Sequence, residues 1–211
     1  MRVICNLLKV KFLLLVVACP FTVYPDTIFG KIDFLARPAY TGIVFVKAAH
    51  ASAKSPVLDQ KKKHFSSKIV VGSPNEMMTF KNSDSFEHNI YANDMKQNVR
   101  FDIGLMSPSH SVQLLMDWQQ PSLVRMGCKI HPKMRSYVAN IKSDIFHSFN
   151  FDRNIKSYSF KLEDVPSERL ELILLMPRYD NQHISIKQGE SRTLDIAQSG
   201  KVKAHLTLTR R

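Results

Sequence analysis

Residues 127–134 read Gly127-Cys128-Lys129-Ile130-His131-Pro132-Lys133-Met134, and residues 82–89 read Asn82-Ser83-Asp84-Ser85-Phe86-Glu87-His88-Asn89. In the first stretch two spacers of two residues put a thiol, an imidazole and a thioether into one tight turn. The runs Leu123 to Ile130 and Tyr137 to Lys142 read as the strands around it. Three donor side chains at the end of a strand pair can converge on one point. A fourth must come from elsewhere, and His88 suits the role. It follows the turn-rich segment Asn82 to Ser85 and opens a strand that Ile90 and Tyr91 continue.

Taken singly these residues say little. A Cys and a His separated by two residues are a weak signal, a lone Met near a His is as readily core filler, and a lone His is as readily a satisfied buried histidine. As a set, His88, Cys128, His131 and Met134 supply two imidazoles, a soft thiolate and a thioether. That is the donor complement of a trigonal His2Cys copper centre with a long axial Met. His88, Cys128 and His131 alone would also hold zinc; the Met favours copper.

The cysteine count points the same way. Residues 1–25 carry Arg2, Lys9 and Lys11 ahead of the apolar run Phe12 to Ala18, which reads as a secretory signal and is too short for a membrane span. An exported chain meets an oxidising compartment, where cysteines are normally paired. Of three cysteines, Cys5 and Cys19 fall in or at the edge of the leader, so Cys128 is left without a partner within the mature chain. Metal ligation would protect its thiolate. Val16-Val17-Ala18-Cys19 also fits a lipoprotein processing site that would leave Cys19 lipidated and membrane-attached, while Ala18 equally permits ordinary cleavage.

Thirty Lys and Arg against eighteen Asp and Glu give a net charge of +12. Without the three basic leader residues the balance is 27 against 18, or +9. Such a surface suits an acidic protein partner. Nucleic acid is the competing explanation of a basic chain, but an exported protein does not meet it and no nucleic-acid motif is present. Lys61-Lys62-Lys63 reads as a solvated turn. The sequence does not set the oligomeric state.

From Lys31 onward short strand-like runs alternate with Ser, Pro, Asn and Asp turns, and long helical periodicity is missing, so the fold class is all-β. Gly42 to Lys47 is one apolar run, followed by a small, polar loop from Ala48 to Pro56. Eight runs then follow between Val57 and Lys142: Val57 to Phe65, Lys68 to Val71, Glu76 to Lys81, His88 to Ala92, Val99 to Leu105, Ser111 to Met116, Leu123 to Ile130 and Tyr137 to Lys142. These suit a Greek-key sandwich or barrel. A second set, Tyr158 to Leu162, Leu170 to Met176, Ile184 to Lys187, Thr193 to Ala197 and Val202 to Thr209, holds no metal or catalytic cluster and reads as a small β-sandwich with a structural or docking role. The resulting division is a signal peptide at 1–25, one or more N-terminal strands at 26–56, the metal-binding unit at 57–142 and a C-terminal sandwich at 143–211.

With these residues assembled, the chain resembles the cupredoxins, in particular the plastocyanin- and amicyanin-like blue copper proteins. The short Cys128, His131, Met134 spacing is similar to amicyanin. More narrowly, Ile69-Val-Val-Gly72, Phe80-Lys-Asn-Ser-Asp84, His88, Phe101-Asp-Ile-Gly-Leu105 and Gly127 to Met134 resemble secreted bacterial methylamine-utilisation-type cupredoxin proteins. In that group a cupredoxin sandwich is accompanied by a transthyretin-like or carboxypeptidase-regulatory-like sandwich, whose turn and strand Phe151 to Pro166 resemble. Because eight runs already serve the cupredoxin unit, the strand at Ile43 to Val46 is assigned to the second sandwich, with the cupredoxin inserted into it. Lys133 stands where members of the group often carry an aromatic residue, and Ser122 where a turn glycine would be expected.

The resemblance implies a periplasmic or secreted bacterial protein that carries single electrons on one type 1 copper ion and is not itself an enzyme. His88, Cys128 and His131 would form the trigonal plane, Met134 the axial position, and Asn89 would tie the upstream strand to the Cys loop. His131 would be the ligand nearest the surface, with Pro132, Lys133 and Arg135 beside it for docking an acidic redox partner. The alternative is copper binding or delivery, or an accessory interaction protein with a structural metal. His50, His64, His110, His147, His183 and His205 are scattered, without the His-rich pairs that a multicopper oxidase needs, and no hydrolase triad or phosphate loop stands out. Met77, Met78, Met95, Met106, Met116 and Met126 are expected as adaptable core filler.

Overall fold

The computed structural model describes residues 25–47, 55–167 and 170–211. The expected leader, with Cys5 and Cys19, and residues 48–54 of the expected loop lie outside them. Among the described residues every regular element is a strand, in agreement with the all-β class. None of them forms a helix long and apolar enough to cross a membrane.

The chain opens with β1 (Asp26–Phe34) and β2 (Thr41–Val46). Nine strands follow: β3 (Val57–Lys61), β4 (His64–Phe65), β5 (Ile69–Gly72), β6 (Met77–Asn82), β7 (His88–Asp94), β8 (Val99–Met106), β9 (Ser111–Leu115), β10 (Ser122–Gly127) and β11 (Arg135–Asn140). The last six are β12 (Phe146–Asn150), β13 (Ser157–Val165), β14 (Leu170–Leu175), β15 (Gln182–Ile186), β16 (Ser191–Gln198) and β17 (Lys201–Arg210).

These strands build four sheets, ordered β13-β1-β17-β16, β12-β2-β14-β15, β5-β11-β10-β7-β8 and β4-β3-β6-β9. In the β1 and β3 sheets, alternation decides which face is buried. In β17, Ala204, Leu206 and Leu208 are buried on one face, in one core with Ile28 and Ile32 of β1 and Ile196 of β16. That core also takes Val44, Val46, Phe149, Leu172 and Leu174 from the β2 sheet, so the first two sheets pack face to face. Leu58, Met78 and Phe80 from the β3 sheet meet Ile90, Val124, Met126 and Val138 from the β10 sheet in a second core. Met106 and Met116 lie in it too, whereas Met77 and Met95 are exposed, so only part of the methionine set is core filler.

A third core joins the two sandwiches. Ile43 and Phe45 of β2 and Ile173 and Leu175 of β14 turn away from the first core and pack on Ile69, Tyr137 and Ala139 of β5 and β11. This explains why Thr41–Val46 is buried at every position: both of its faces are covered, and a strand covered on both sides reads as a continuous apolar run. The four sheets therefore stack in one pile, with the β2 and β11 sheets inside.

Several boundaries differ from the sequence expectation. Val57 to Phe65 is not one strand; it folds back at Lys62 and Lys63, whose φ angles of 53° and 59° place both in the left-handed region of a tight hairpin turn. β10 stops at Gly127 rather than Ile130. β12 fills a stretch that shows no alternation in sequence.

Candidate metal centre

The site sits where β7 begins and β10 ends. The two strands are antiparallel neighbours with Gly127 opposite Tyr91, so the chain leaving β10 runs past Asn89 towards His88. Gly127 is required there by a close approach. A Cβ at this position would fall 2.9 Å from Tyr91 Cε1 and Cζ, because the ring lies directly over the glycine. The next residue, Cys128, is 1% exposed, and His88 is fully buried.

Residues 128–134 connect β10 to β11, and the Met134 N–H donates to the His131 carbonyl at 2.9 Å, closing the loop. This folding brings three donor atoms together. Cys128 Sγ lies 3.9 Å from His88 Nδ1 and 4.0 Å from His131 Nδ1, and the two nitrogens are 3.0 Å apart. In the plane of these atoms a point about 2.0 Å from both nitrogens falls about 2.3 Å from the sulfur, which are ordinary imidazole and thiolate bond lengths to a first-row ion. The donor set therefore fits a transition metal in both chemistry and spacing. Met134 is 3% exposed and lies at the end of the same loop. Among the described residues, His88, Cys128 and His131 are the one cluster of His, Cys, Asp or Glu that could hold a metal ion.

The surroundings fix which His88 nitrogen faces the sulfur. Asp84 Oδ2 lies 3.0 Å from His88 Nε2, and both side chains are buried. An ionised carboxylate only accepts, so Nε2 carries the proton and Nδ1 presents its lone pair towards Cys128. Asp84 is itself held by the Lys63 N–H at 2.7 Å, at the turn between β3 and β4, and by the Ser85 N–H at 2.9 Å. These donors, the Lys63 N–H first and the His88 ring next, keep its carboxyl below the usual carboxylate range. Asn82 braces the same segment by donating to the Phe86 and Met106 carbonyls at 2.8 and 2.9 Å and accepting the Asp84 N–H at 3.0 Å.

A second brace runs from β7 to the Cys loop. Asn89 Oδ1 accepts the Lys129 N–H at 2.6 Å, while its Nδ2 donates to Asp102 Oδ1 at 2.9 Å. Asp102 also meets Lys129 Nζ at 2.5 Å, the main reason its carboxyl is held low. Lys129 is thus clamped through backbone and side chain by two residues of neighbouring strands. His131 is half-buried, and its protonation is disfavoured first by loss of water, then by the facing His88 and by Lys63. Pro132, Lys133 and Arg135 are exposed beside it; the Arg135 guanidinium lies 3.9 Å over the Tyr40 ring. Asp84, Asn82 and Asp102 were not singled out in the sequence. An Asp four residues before the candidate His ligand is the one signal that could have marked the first of them.

No family model matches the chain, and no curated protein matches it in sequence. Solved cupredoxin structures are similar to it. A purple cupredoxin from Nitrosopumilus maritimus aligns at 15% identity over 41% of this chain and 99% of that one, with a TM-score of 0.36. A reduced single-substitution mutant of amicyanin aligns at 14% identity over 46% of this chain and 97% of that one, with a TM-score of 0.37. A copper-containing nitrite reductase from Thermus scotoductus aligns at 15% identity, TM-score 0.37, over 42% of this chain and 23% of that one. Each likeness covers less than half of this chain, and the donor atoms themselves describe the site.

Proposed function

We propose that the protein is a one-electron carrier of the blue-copper type, not an enzyme, with His88, Cys128, His131 and Met134 as the residues that would hold one copper ion. The observation that carries this proposal is the convergence of two imidazole nitrogens and one thiol sulfur within 4.0 Å of one another at the buried end of a strand pair. Bound copper would supply a one-electron couple, tuned by the thiolate and thioether among its donors. The chain's residues do the rest. Asp84 holds the His88 tautomer, Asn89 and Asp102 hold the Cys loop through Lys129, and the two buried donors keep water from the thiolate. Bracing on both sides would keep the ligands in nearly the same place in either oxidation state, as electron transfer requires.

His131 forms the exit. Ile130 and Pro132 are exposed beside it in the loop, and Lys133 and Arg135 add positive charge, so the partner is a redox protein with an acidic rim. The leader supports export to the periplasm or beyond, with Cys19 as the point of any lipid anchor.

Voltammetry of the copper-loaded chain in the presence of a Cu(I) chelator tests the proposal. A carrier shows a reversible one-electron wave and keeps its copper in both states. Rapid loss of Cu(I) to the chelator would instead assign the protein to copper delivery.

A further inference from the structure

Where the two sandwiches meet, on the side of Arg135, a cleft of about 320 Å³ opens. Five basic residues line it: Arg37 between β1 and β2, Lys68 before β5, Arg135 at the start of β11, Arg153 between β12 and β13, and Arg178 between β14 and β15. They come from five separate connections, and only the stacking of the two sandwiches brings them together. One acid, Asp152, shares the cleft.

Among the described residues no carboxylate forms an ion pair with any of these five. Two of them are positioned by uncharged contacts. Lys68 Nζ donates to the Phe151 carbonyl at 3.1 Å and lies 5.0 Å from the centre of the Tyr40 ring, and the Arg135 guanidinium covers the same ring at 3.9 Å. Arg178 is held at φ 73°, a conformation uncommon for a side-chain-bearing residue. Four arginines and a lysine lining one space raise the local positive potential, which an entering anion would relieve. Guanidinium forks match the paired oxygens of phosphoryl groups, and the volume is at the small end of ligand sites.

We infer that this junction cleft is a binding site for a small polyvalent phosphoryl anion, contributed jointly by both sandwiches. The site does not depend on metal in the candidate centre. The size argues against a protein segment, since the space holds a few oxyanion groups and not a run of side chains.

Isothermal titration of the full chain with inorganic pyrophosphate, at ionic strength fixed with sodium chloride, is the test. One saturable site is expected. The pair Arg153→Ala and Arg178→Ala should weaken it by at least about tenfold, the loss of one or more charge-assisted contacts. The pair Lys187→Ala and Lys201→Ala removes the same charge elsewhere and should change it by less than about threefold, the exposed-charge range. All four side chains are exposed, so the variants are expected to fold. Amide shifts on titrating the unmodified chain give a second, variant-free readout and should centre on the five cations. The inference is overturned by absence of a saturable site at millimolar pyrophosphate, by equal weakening in both pairs, by shifts spread over the whole basic surface, or by a glutamate-rich peptide binding the cleft where pyrophosphate does not.

Discussion

Replacing Asp84 tests how the site is held together. Asp84 Oδ2 is the acceptor facing His88 Nε2, which is wholly buried, so Asp84→Ala leaves a buried N–H without a partner. An unsatisfied buried donor costs about 1–3 kcal/mol. Lys63 and Ser85, whose N–H groups Asp84 also accepts, are exposed and can turn to water, so their share is smaller. At about 1.4 kcal/mol per tenfold, the expected loss in metal affinity is about 5- to 150-fold. Outer partners of metal-bound histidines ordinarily contribute about 10- to 100-fold, an independent figure in the same range. Asp84→Asn keeps a carbonyl oxygen for Nε2–H and should lose less than about tenfold on the same scale. Competition with a chromophoric chelator at neutral pH measures all three proteins under conditions where Asp84 is ionised. Its folded carboxyl lies below the ordinary value, so its contribution is complete above the unfolded value of about 3.9 and fades only as pH falls below that. Affinity of the Ala variant within about threefold of wild type, against the range above, would refute the orienting role. Equal losses in Ala and Asn would show that the charge, not the acceptor, matters.

Three further outcomes are expected. His147 sits among Phe149, Tyr158 and Phe160, and burial lowers its affinity for a proton. Its contribution is therefore complete above about 6.5 and lost as pH falls towards the folded value, so His147→Phe should flatten the drop in melting temperature between pH 7.5 and 5.5; an unchanged slope contradicts this. Arg210 is buried against Asp26 at 2.6 Å and also donates to the Ile186 and Pro166 carbonyls, tying the last strand to the first. Asp26→Ala should cost about 3–5 kcal/mol in urea unfolding, and a change below about 1 kcal/mol would contradict the pairing. Gly127→Ala should displace the Tyr91 ring, lowering stability by about 1–3 kcal/mol and weakening metal binding together; normal affinity with normal stability would show that the ring moves freely.

The strand pattern and the ligand loop were legible because each is local. Alternation in β17 and the spacing of Cys128, His131 and Met134 need no knowledge of the rest of the chain. The end of β10 was not legible. Lys129 leaves the ladder because Asn89, forty residues earlier, takes its N–H, so the apolar run through Ile130 overstates the strand. The turn at Lys62 and Lys63 was legible in the run Lys61 to Lys63, but not that it divides Val57 to Phe65 into two strands, because β4 is only two residues long. β12 shows no alternation because it gives Phe149 to one core and packs Phe146 against another. Asp84 escaped notice for a related reason: as a turn residue it looks like any other Asp, and only the fold brings it to His88. The basic cleft is the extreme case, five cations from five connections with no common motif.

The central claim is that Cys128, His88 and His131 hold copper through a thiolate. Visible absorption and EPR of the Cu(II)-loaded chain, beside Cys128→Ser, test it most directly. An intense visible band that disappears on reduction, returns on reoxidation and is missing in the serine variant is the predicted result. A colourless Cu(II) protein, or a band that survives the loss of Cys128, would contradict it.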